Sequence, residues 1–324
     1  MKSRLLSLLS LVVGLGLFLY LLKQTGTAEI VARVRALGAG FLWLLVFSGL
    51  RHVVRAYAWL RCMSDDARSV GLVAVLRARL AGEAIADLTA AGPVLGEPIK
   101  IAQLRDRVGV AALASSLAVE NLIYALSSGF LVLTGVLTLL LVFAVAGNLR
   151  VAGGWALAIV GLALLGLLLG LARRWRLVSW LFAQAANFIP RLARWLPRLR
   201  ELESYVLDFY GRRRGDFFLV AGCDLLFHLA GVVEVYLTLH LIGIPSTFLV
   251  AFALEAVNRI LNIVFAFVPA MIGVDEAGTG LLTEALRLGA GVGVTLAILR
   301  KARMLVWIVV GLSFLPGTWR KPSS

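Results

Sequence analysis

Four polar side chains lie at helical spacing in a stretch that is otherwise apolar. Glu255, Asn258, Arg259 and Asn262 stand at i, i+3, i+4 and i+7 in the segment "LEAVNRILN", so they share one face of a helix. An ionised side chain at the middle of a bilayer costs at least about 2.5 kcal/mol. This face is therefore predicted to line a protein interior or a wet cavity, where it would contact a polar or charged ligand.

Two apolar stretches are interrupted by proline and glycine, "GPVLGEP" at 92–98 and "FVPAMIGVDEAG" at 267–278. Proline ends or bends a helix. Interrupted helices in duplicated segments are the best sequence indication of a transporter site. The predicted break or hinge residues are Pro93, Gly96, Pro269 and Gly273.

Carboxylates follow both interruptions: Glu97 the first, Asp275 and Glu276 the second. The N-terminus of a helix stabilises negative charge. Glu97 and Glu276 are therefore expected either to cap short helices or to take part in handling a substrate or a proton. Both interpretations stay open.

Further charges lie inside apolar segments. Glu83 and Asp87, at i and i+4, form a polar face that corresponds to the polar face at 255–262. Arg300 and Arg303 lie far from the end of the last apolar run, so their side chains are too short for both to reach water at the membrane surface. Glu120 is predicted to pair with Arg300 or Arg303. In one interpretation such a pair only fixes the helix register. In the other, the arginines that are not paired bind an anionic lipid phosphate.

Two further groups occur in predicted spans. Arg51 and Arg55 share a helical face with His52 beside it, and Asp224 and His228 share another. The second pair is interpreted either as a proton relay or as packing residues with ordinary hydrogen bonds.

The complete set of predicted substrate-binding or cavity residues is Glu83, Asp87, Glu97, Glu120, Glu255, Asn258, Arg259, Asn262, Asp275, Glu276, Arg300 and Arg303. No H-E-x-x-H, G-x-S-x-G, Walker, Asp-rich or paired-Cys motif is present, so no catalytic residue, metal or cofactor is predicted and ATP-driven transport is not expected. Cys62 and Cys223 are expected to be inert thiols.

The composition excludes a soluble domain. Of 324 residues, 60% are hydrophobic and only 15% are charged, with a net charge of +14. An integral membrane protein is predicted, whose arginines lie in loops beside an anionic leaflet. Nucleic-acid binding is not expected, because no soluble basic module is long enough for it.

The elements predicted from the apolar runs are all helical. Runs long enough to cross a bilayer occur at 5–22, 39–60, 109–146, 152–172, 217–242, 247–268 and 291–315. The third is predicted to hold two helices hinged near Ser127, Ser128 and Gly129, and shorter mixed helices are expected at 70–91 and 276–289. The expected fold is an all-α polytopic membrane protein, one integral domain over 1–324, with about seven or eight spans and two broken or re-entrant helical hairpins.

The stretch 173–214 is the one sizeable hydrophilic region. Its arginines alternate with Trp, Phe and Leu, which is typical of amphipathic helices on a membrane surface, and a soluble connecting loop is the alternative. The positive-inside rule places it, and the C-terminus, in the cytoplasm. The segment 5–22 is expected to stay as an uncleaved helix rather than a signal peptide.

Two parts of the sequence are interpreted as diverged copies of one pattern, within repeat-like halves at 70–146 and 247–315. Each copy has a glutamate in an apolar helix, a Pro and Gly break with a carboxylate, a short polar helix and a long apolar helix. Aligning Gly109 with Gly291 brings Gly129 onto Gly311 without a gap.

The stretches "LAGEAIADLTAAGPVLGEPIKIAQLRD" and "AFALEAVNRILNIVFAFVPAMIGVDEAG" resemble the membrane region of lysylphosphatidylglycerol synthase/flippase proteins. The resemblance covers about residues 5–315, although the paired glycines of that family are reduced here to Gly96 and to "AMIG". The sequence ends at Ser324 without an aminoacyltransferase domain, so synthase activity is not expected.

The resemblance implies a bacterial inner-membrane protein that moves an amphiphilic lipid, with membrane lipids and lipid-synthesis enzymes as partners. Stand-alone relatives associated with hopanoids suggest a hopanoid or an anionic or polyprenyl lipid as the substrate. A membrane-embedded lipid-modifying transferase and a scaffold for lipid-synthesis enzymes are the alternatives.

Overall fold

The computed structural model describes residues 32, 35, 37–89, 92–145 and 147–315. Within these residues every regular element is helical, which confirms the all-α expectation. The eleven α-helices of this part of the chain are α1 Gly40–Cys62, α2 Leu72–Leu88, α3 Pro93–Leu104, α4 Val110–Val142, α5 Gly147–Ala172, α6 Leu177–Phe188, α7 Leu196–Arg212, α8 Arg214–Leu241, α9 Phe248–Val264, α10 Val274–Ala285 and α11 Ala290–Ser313. The predicted first span, 5–22, lies outside the described residues.

Three of these helices, α4, α5 and α8, are long and apolar enough to cross a membrane. Helix α5 presents Trp155, Ile159 and Leu162 to its surroundings, each more than 60% exposed. A helix that is apolar all round and little buried is stable only against lipid. The protein is therefore a membrane protein.

Helix α4 is continuous over 33 residues, so the predicted division into two helices is wrong. The Ser127 hydroxyl donates to the carbonyl of Tyr124 at 3.0 Å, which satisfies it within the helix. At Gly129 an added Cβ would lie 2.8 Å from Cδ2 of Leu164, so this glycine allows α4 to approach α5. At 1.5 Å per residue the helix is about 50 Å long, longer than the roughly 30 Å of bilayer hydrocarbon.

The chain leaves helical geometry at both Pro and Gly interruptions. Between α2 and α3, Gly92 has φ +42°. Between α9 and α10, Ala270 and Met271 have φ near +50° and Gly273 has φ +81°. An added Cβ on Gly92 would lie 3.6 Å from the Ala266 carbonyl oxygen, so the two interruptions are neighbours in space.

Helices α2 and α3 approach each other at a pair of glycines. A Cβ on Gly82 would lie 2.7 Å from the Gly96 oxygen, and a Cβ on Gly96 would lie 2.7 Å from the Gly82 oxygen. Real Cβ atoms do not come that close, so the backbone contact requires glycine at both positions. Gly96 therefore has a packing role beside the interruption.

The helices of the two predicted copies interleave. Helix α2 packs on α11, and α4 packs on α9. Leu239, Leu254 and Leu296 form part of a buried core shared by α8, α9 and α11, while Trp59 and Leu113 belong to a second core formed by α1, α2 and α4.

The stretch 173–214 folds into α6, a short 3₁₀ helix at Pro190–Trp195, and α7. The Glu203 carboxylate accepts a hydrogen bond from Val178 N at 2.9 Å, which ties α7 to the start of α6. Leu207 and Phe209 of α7 are buried, whereas Trp180 and Leu181 of α6 are about 60% exposed. Exposed aromatic and aliphatic side chains among arginines are typical of helices at a membrane surface.

Candidate functional site

A polar cavity of about 250 Å³ lies between α1, α2, α8, α9 and α11 and reaches the interruption before α10. Its wall contains an unusual number of charged side chains for a protein interior. The ionisable residues that line it are Arg51, His52, Asp87, Glu234, Glu255, Arg259, Asp275, Arg300, Lys301 and Arg303.

Two carboxylates on one side of the cavity hold three guanidinium groups. Arg51 Nη1 lies 2.9 Å from Glu234 Oε2 and Arg51 Nη2 lies 3.8 Å from Glu255 Oε1. Arg303 also pairs with Glu234, and Arg259 Nη2 lies 3.2 Å from Glu255 Oε1. This side of the cavity therefore carries one positive charge more than its carboxylates neutralise.

Helix α8 comes close to this group at Gly231. An added Cβ there would lie 2.7 Å from Glu255 Oε1 and 3.0 Å from Arg51 Nη2. Any larger residue would displace the ion pair, so the absent side chain makes room for it.

The opposite side of the cavity connects α11 to the start of α10. Arg300 Nη1 donates to Asp275 Oδ1 at 2.5 Å and to Asn258 Oδ1 at 2.7 Å. Lys301 Nζ donates to Glu276 Oε1 at 2.6 Å and to the Met271 carbonyl at 3.3 Å. The lysine thus bonds directly to the backbone of the interruption.

Glu276 also caps α10, because its Oε2 accepts a hydrogen bond from Gly273 N at 2.8 Å. Glu97 does not cap α3. It lies beyond the first turn and pairs with Lys100 Nζ at 2.9 Å, so the capping interpretation of Glu97 is wrong.

Several guanidinium donors in the cavity are unused. The Nε atoms of Arg51, Arg259 and Arg300 are buried and make no hydrogen bond to any residue that the structure describes. Arginine carries five N–H donors in a rigid fork suited to phosphate and carboxylate oxygens. An anion that enters between these side chains would meet N–H donors that no described residue occupies.

Asp87 differs from the other carboxylates of the cavity. It is exposed, and it forms no ion pair within the part of the chain that the structure describes. Among the described residues, the four paired carboxylates Glu234, Glu255, Asp275 and Glu276 face five cationic side chains, so the ion-paired groups have a surplus of one positive charge. Asp87 lines the same cavity without a partner in this part of the chain.

A second charged group lies behind the cavity wall. Arg55 donates from Nε to Glu120 Oε1 at 2.7 Å, and Arg79 lies 2.7 Å from Glu83 and 3.3 Å from Glu120. His52, which lines the cavity, contacts Glu83 through Nδ1 at 3.0 Å. Glu120 does not pair with Arg300 or Arg303, and that prediction is wrong, because α4 packs its Glu120 face against α1 and α2.

Of the twelve predicted site residues, some line the cavity and the others lie outside it. Eight line the cavity, and they are Asp87, Glu255, Asn258, Arg259, Asn262, Asp275, Arg300 and Arg303. The other four, Glu83, Glu97, Glu120 and Glu276, are held in ion pairs outside it. Of the predicted hinge residues, Gly273 and Pro269 lie at the interruption whose Ala270 and Met271 line the cavity, while Pro93 and Gly96 lie in α3.

Several cavity residues were not among those predicted. Glu234 and Arg51 hold the centre of the ion-pair group, and Trp307 Nε1 donates to Ser48 Oγ at 2.6 Å on the wall. Charged residues inside apolar spans were the available signal for Arg51 and Glu234. Their pairing joins residues 183 positions apart, which sequence spacing does not reveal.

Asp224 and His228 do not form a direct relay. His228 Nε2 lies 3.2 Å from the hydroxyls of Ser127 and Ser128, and its ring stacks on Tyr124 at 5.3 Å. His228 Nδ1 and both Asp224 oxygens make no hydrogen bond among the described residues. The packing interpretation therefore holds for His228. In the same residues no group of His, Cys, Asp or Glu has the arrangement of a metal site.

Comparison with known proteins identifies the family. Residues 7–312 match the family described as lysylphosphatidylglycerol synthase TM region, which is nearly the whole chain. No curated protein and no solved structure matches the chain significantly. The helical membrane fold and the extent of this match show that the chain belongs to the lysylphosphatidylglycerol synthase transmembrane-region family, a family of membrane proteins related to lipid handling.

Proposed function

We propose that this protein binds the headgroup of an anionic amphiphilic lipid in the polar cavity and moves that lipid across or out of the membrane. The observation that carries the proposal is the set of buried guanidinium Nε donors of Arg51, Arg259 and Arg300, which have no acceptor among the described residues. Guanidinium groups bind phosphate oxygens through paired hydrogen bonds. A lipid phosphate supplies the acceptors that the cavity lacks.

The helices around the cavity have the surface that such a ligand requires. On α1, Arg51 and Arg55 are buried whereas Trp43, Val46 and Leu50 are more than half exposed. On α11, Leu305 and Val309 are likewise exposed, at 56% and 68%. Charges inside and apolar side chains outside allow a headgroup to enter the protein while its acyl chains stay in lipid.

The interruption between α9 and α10 supports movement rather than static binding. Ala270 and Met271 line the cavity and have positive φ, a conformation that costs about 1–3 kcal/mol for a residue other than glycine. Lys301 holds this backbone through the Met271 carbonyl. A headgroup that competes for Lys301 would release the interruption, which makes this segment the proposed gate.

The transferase alternative receives less support from the site. A transferase would need a carboxylate such as Asp275 or Glu276 as a base, but Arg300 holds Asp275 at 2.5 Å and Lys301 holds Glu276 at 2.6 Å. Both carboxylates are therefore already engaged by cationic side chains. The scaffold alternative would use the exposed faces of α6 and α7 and would not need the cavity.

We propose the bacterial inner membrane as the location, with α6, α7 and the C-terminus on the cytoplasmic side, because α7 and the segments on either side of α6 are rich in arginine. A hopanoid stays the second candidate substrate. The cationic surplus of the cavity favours an ionised headgroup over it.

The test uses protein reconstituted in vesicles that contain a headgroup-labelled phosphatidylglycerol, with an impermeant quencher to report its appearance in the other leaflet. Arg300→Gln and Glu255→Gln are the cavity variants, and Arg198→Gln, an exposed α7 arginine, is the matched control. Transfer by wild type and by Arg198→Gln, with loss in both cavity variants, is the expected result.

Equal transfer by all four proteins would refute a role for the cavity. A lipid inventory of cells lacking the protein separates the alternatives further, because a transferase changes lipid mass, a transporter changes only the distribution among leaflets and membranes, and a hopanoid carrier would misplace hopanoids.

A further inference from the structure

In the charged group behind the cavity wall, the described carboxylates outnumber the guanidinium groups by one. Among the residues that the structure describes, Glu83, Glu120 and Asp224 face two guanidinium groups, Arg55 and Arg79. The nearby Lys100 pairs with Glu97 and adds no net charge. Not counting His52, whose Nδ1 contacts Glu83 at 3.0 Å, this group carries one unit of negative charge in the protein interior, where an unbalanced charge is costly.

The unbalanced charge lies at the Asp224 end of the group. Asp224 is completely buried. Arg55 Nε lies 3.4 Å from its Oδ1, but the guanidinium donates its hydrogen bonds to Glu120, and neither Asp224 oxygen accepts one from any described residue. A buried carboxylate without donors takes up a proton more readily than a paired one.

The surroundings of Asp224 contain few groups that titrate or carry charge. Those that face it are Arg55 and Cys62 from α1, Arg79 from α2 and Glu120 from α4, with Cys223 and His228 on its own helix. Of these groups, Arg55, Arg79 and Glu120 carry formal charges and set the local field. Glu120 opposes a negative charge on Asp224.

A continuous line of polar groups joins Asp224 to the cavity. It runs from His52 on the wall to Glu83, Arg79, Glu120, Arg55 and Asp224. Arg55 follows Arg51 by one helical turn, about 6 Å along α1. The negative surplus behind the wall therefore lies next to the positive surplus inside the cavity.

We propose that Asp224 is a proton-binding site whose occupancy is linked to binding of an anionic lipid in the cavity, so that lipid and proton are carried together. Protonation forms an O–H bond on Asp224 with a proton from water and removes the negative surplus. The cavity then attracts an anion more strongly, and by reciprocity the bound anion increases proton binding. The lipid part of this inference rests on the proposed function, whereas the protonation of Asp224 does not.

The size of the linkage follows from Coulomb's law. A unit charge acting across roughly 10 Å at an effective dielectric constant of about 20 changes an equilibrium on the order of tenfold. Binding of an anionic headgroup is therefore expected to raise the midpoint of Asp224 protonation on the order of one pH unit.

Infrared difference spectroscopy of the purified full chain tests the proton site directly. A protonated buried carboxyl gives a carbonyl-stretch band that appears as pH falls. The protein is studied in nanodiscs of phosphatidylcholine with and without phosphatidylglycerol, as wild type, Asp224→Asn, Glu120→Gln and Asp208→Asn. Asp208, an exposed carboxylate of α7 paired with Arg174, is the control, and circular dichroism verifies the fold of each variant.

The expected result is a band that titrates in wild type and Asp208→Asn and is absent from Asp224→Asn. In Glu120→Gln its midpoint falls, because the opposing negative charge is gone, and in phosphatidylglycerol the wild-type midpoint rises. If the band is still present in Asp224→Asn but absent from Glu120→Gln, the protonated carboxyl is Glu120 and the assignment to Asp224 is overturned.

Two other outcomes separate this inference from the proposed function. If phosphatidylglycerol does not shift the midpoint of the Asp224 band although that lipid binds and is transported, the linkage is refuted and the proposed function stands. If phosphatidylglycerol neither binds nor shifts the band, the proposed function and the linkage both fail, and the Asp224 band alone remains.

Discussion

The ion pairs at Glu234 lead to the sharpest prediction. Glu234 Oε2 lies 2.9 Å from Arg51 Nη1, and the same carboxylate pairs with Arg303. Glu234→Gln removes the negative charge and leaves two guanidinium groups facing each other. The variant is expected to lose stability and to gain affinity for anions.

The magnitude follows from the geometry. Unit charges about 4 Å apart attract by about 4 kcal/mol at an effective dielectric constant of about 20, and breaking a buried pair by removing one partner costs about 3–5 kcal/mol. The Glu234 side chain is only 7% exposed, so solvent screens little of this. We therefore expect a loss of about 3–5 kcal/mol in the free energy of unfolding.

A double-mutant cycle measured by thermal or denaturant unfolding in detergent makes the test specific. Glu234→Gln and Arg303→Gln are each destabilising, but the double variant is expected to cost less than their sum, because the second change removes a charge that the first left unpaired. Asp208→Asn is the control, since its pair with Arg174 is more than half exposed on both sides and is worth less than about 1 kcal/mol.

Binding of phosphatidylglycerol provides the second measurement. Glu234→Gln adds one net positive charge to the cavity, so binding is expected to tighten on the order of tenfold, in the opposite direction to stability. Additive unfolding energies in the cycle, or weaker lipid binding by Glu234→Gln, would refute the ion-pair reasoning.

Two further predictions concern packing and the cavity rim. Gly96→Ala is expected to cost about 1–3 kcal/mol in unfolding free energy, because the new Cβ meets the Gly82 oxygen at 2.7 Å. Gly154→Ala on α5, where no atom of the described residues lies within 4 Å, is expected to be neutral or stabilising by up to about 1 kcal/mol. Equal melting temperatures for the two variants would contradict this. Asp87→Asn removes a cavity carboxylate that has no ion pair among the described residues and is expected to strengthen phosphatidylglycerol binding without loss of stability; weaker binding would show that Asp87 contacts a cationic part of the ligand.

Much of the helical architecture could be predicted from local patterns in the sequence. The length of the apolar runs predicted membrane helices close to α1, α5, α8, α9 and α11, because a span needs about 20 apolar residues whatever its neighbours. The interruptions at Pro and Gly could also be predicted, since both residues act on the backbone locally. The hinge predicted in α4 was wrong because a glycine inside a helix serves either a bend or a close helix contact, and here Leu164 of α5 occupies the space.

The sequence by itself determined that this is an all-helical membrane protein and that the polar stripe at 255–262 cannot face lipid, because the cost of exposing charge to hydrocarbon depends only on the helix that carries it. It did not determine which charges meet. Glu120 was expected to pair with Arg300 or Arg303, but it pairs with Arg55 and Arg79. The choice of partner, and with it the cavity at Arg51 and the uncompensated Asp224, depends on the order in which helices far apart in the chain pack together, and only the tertiary structure decides that.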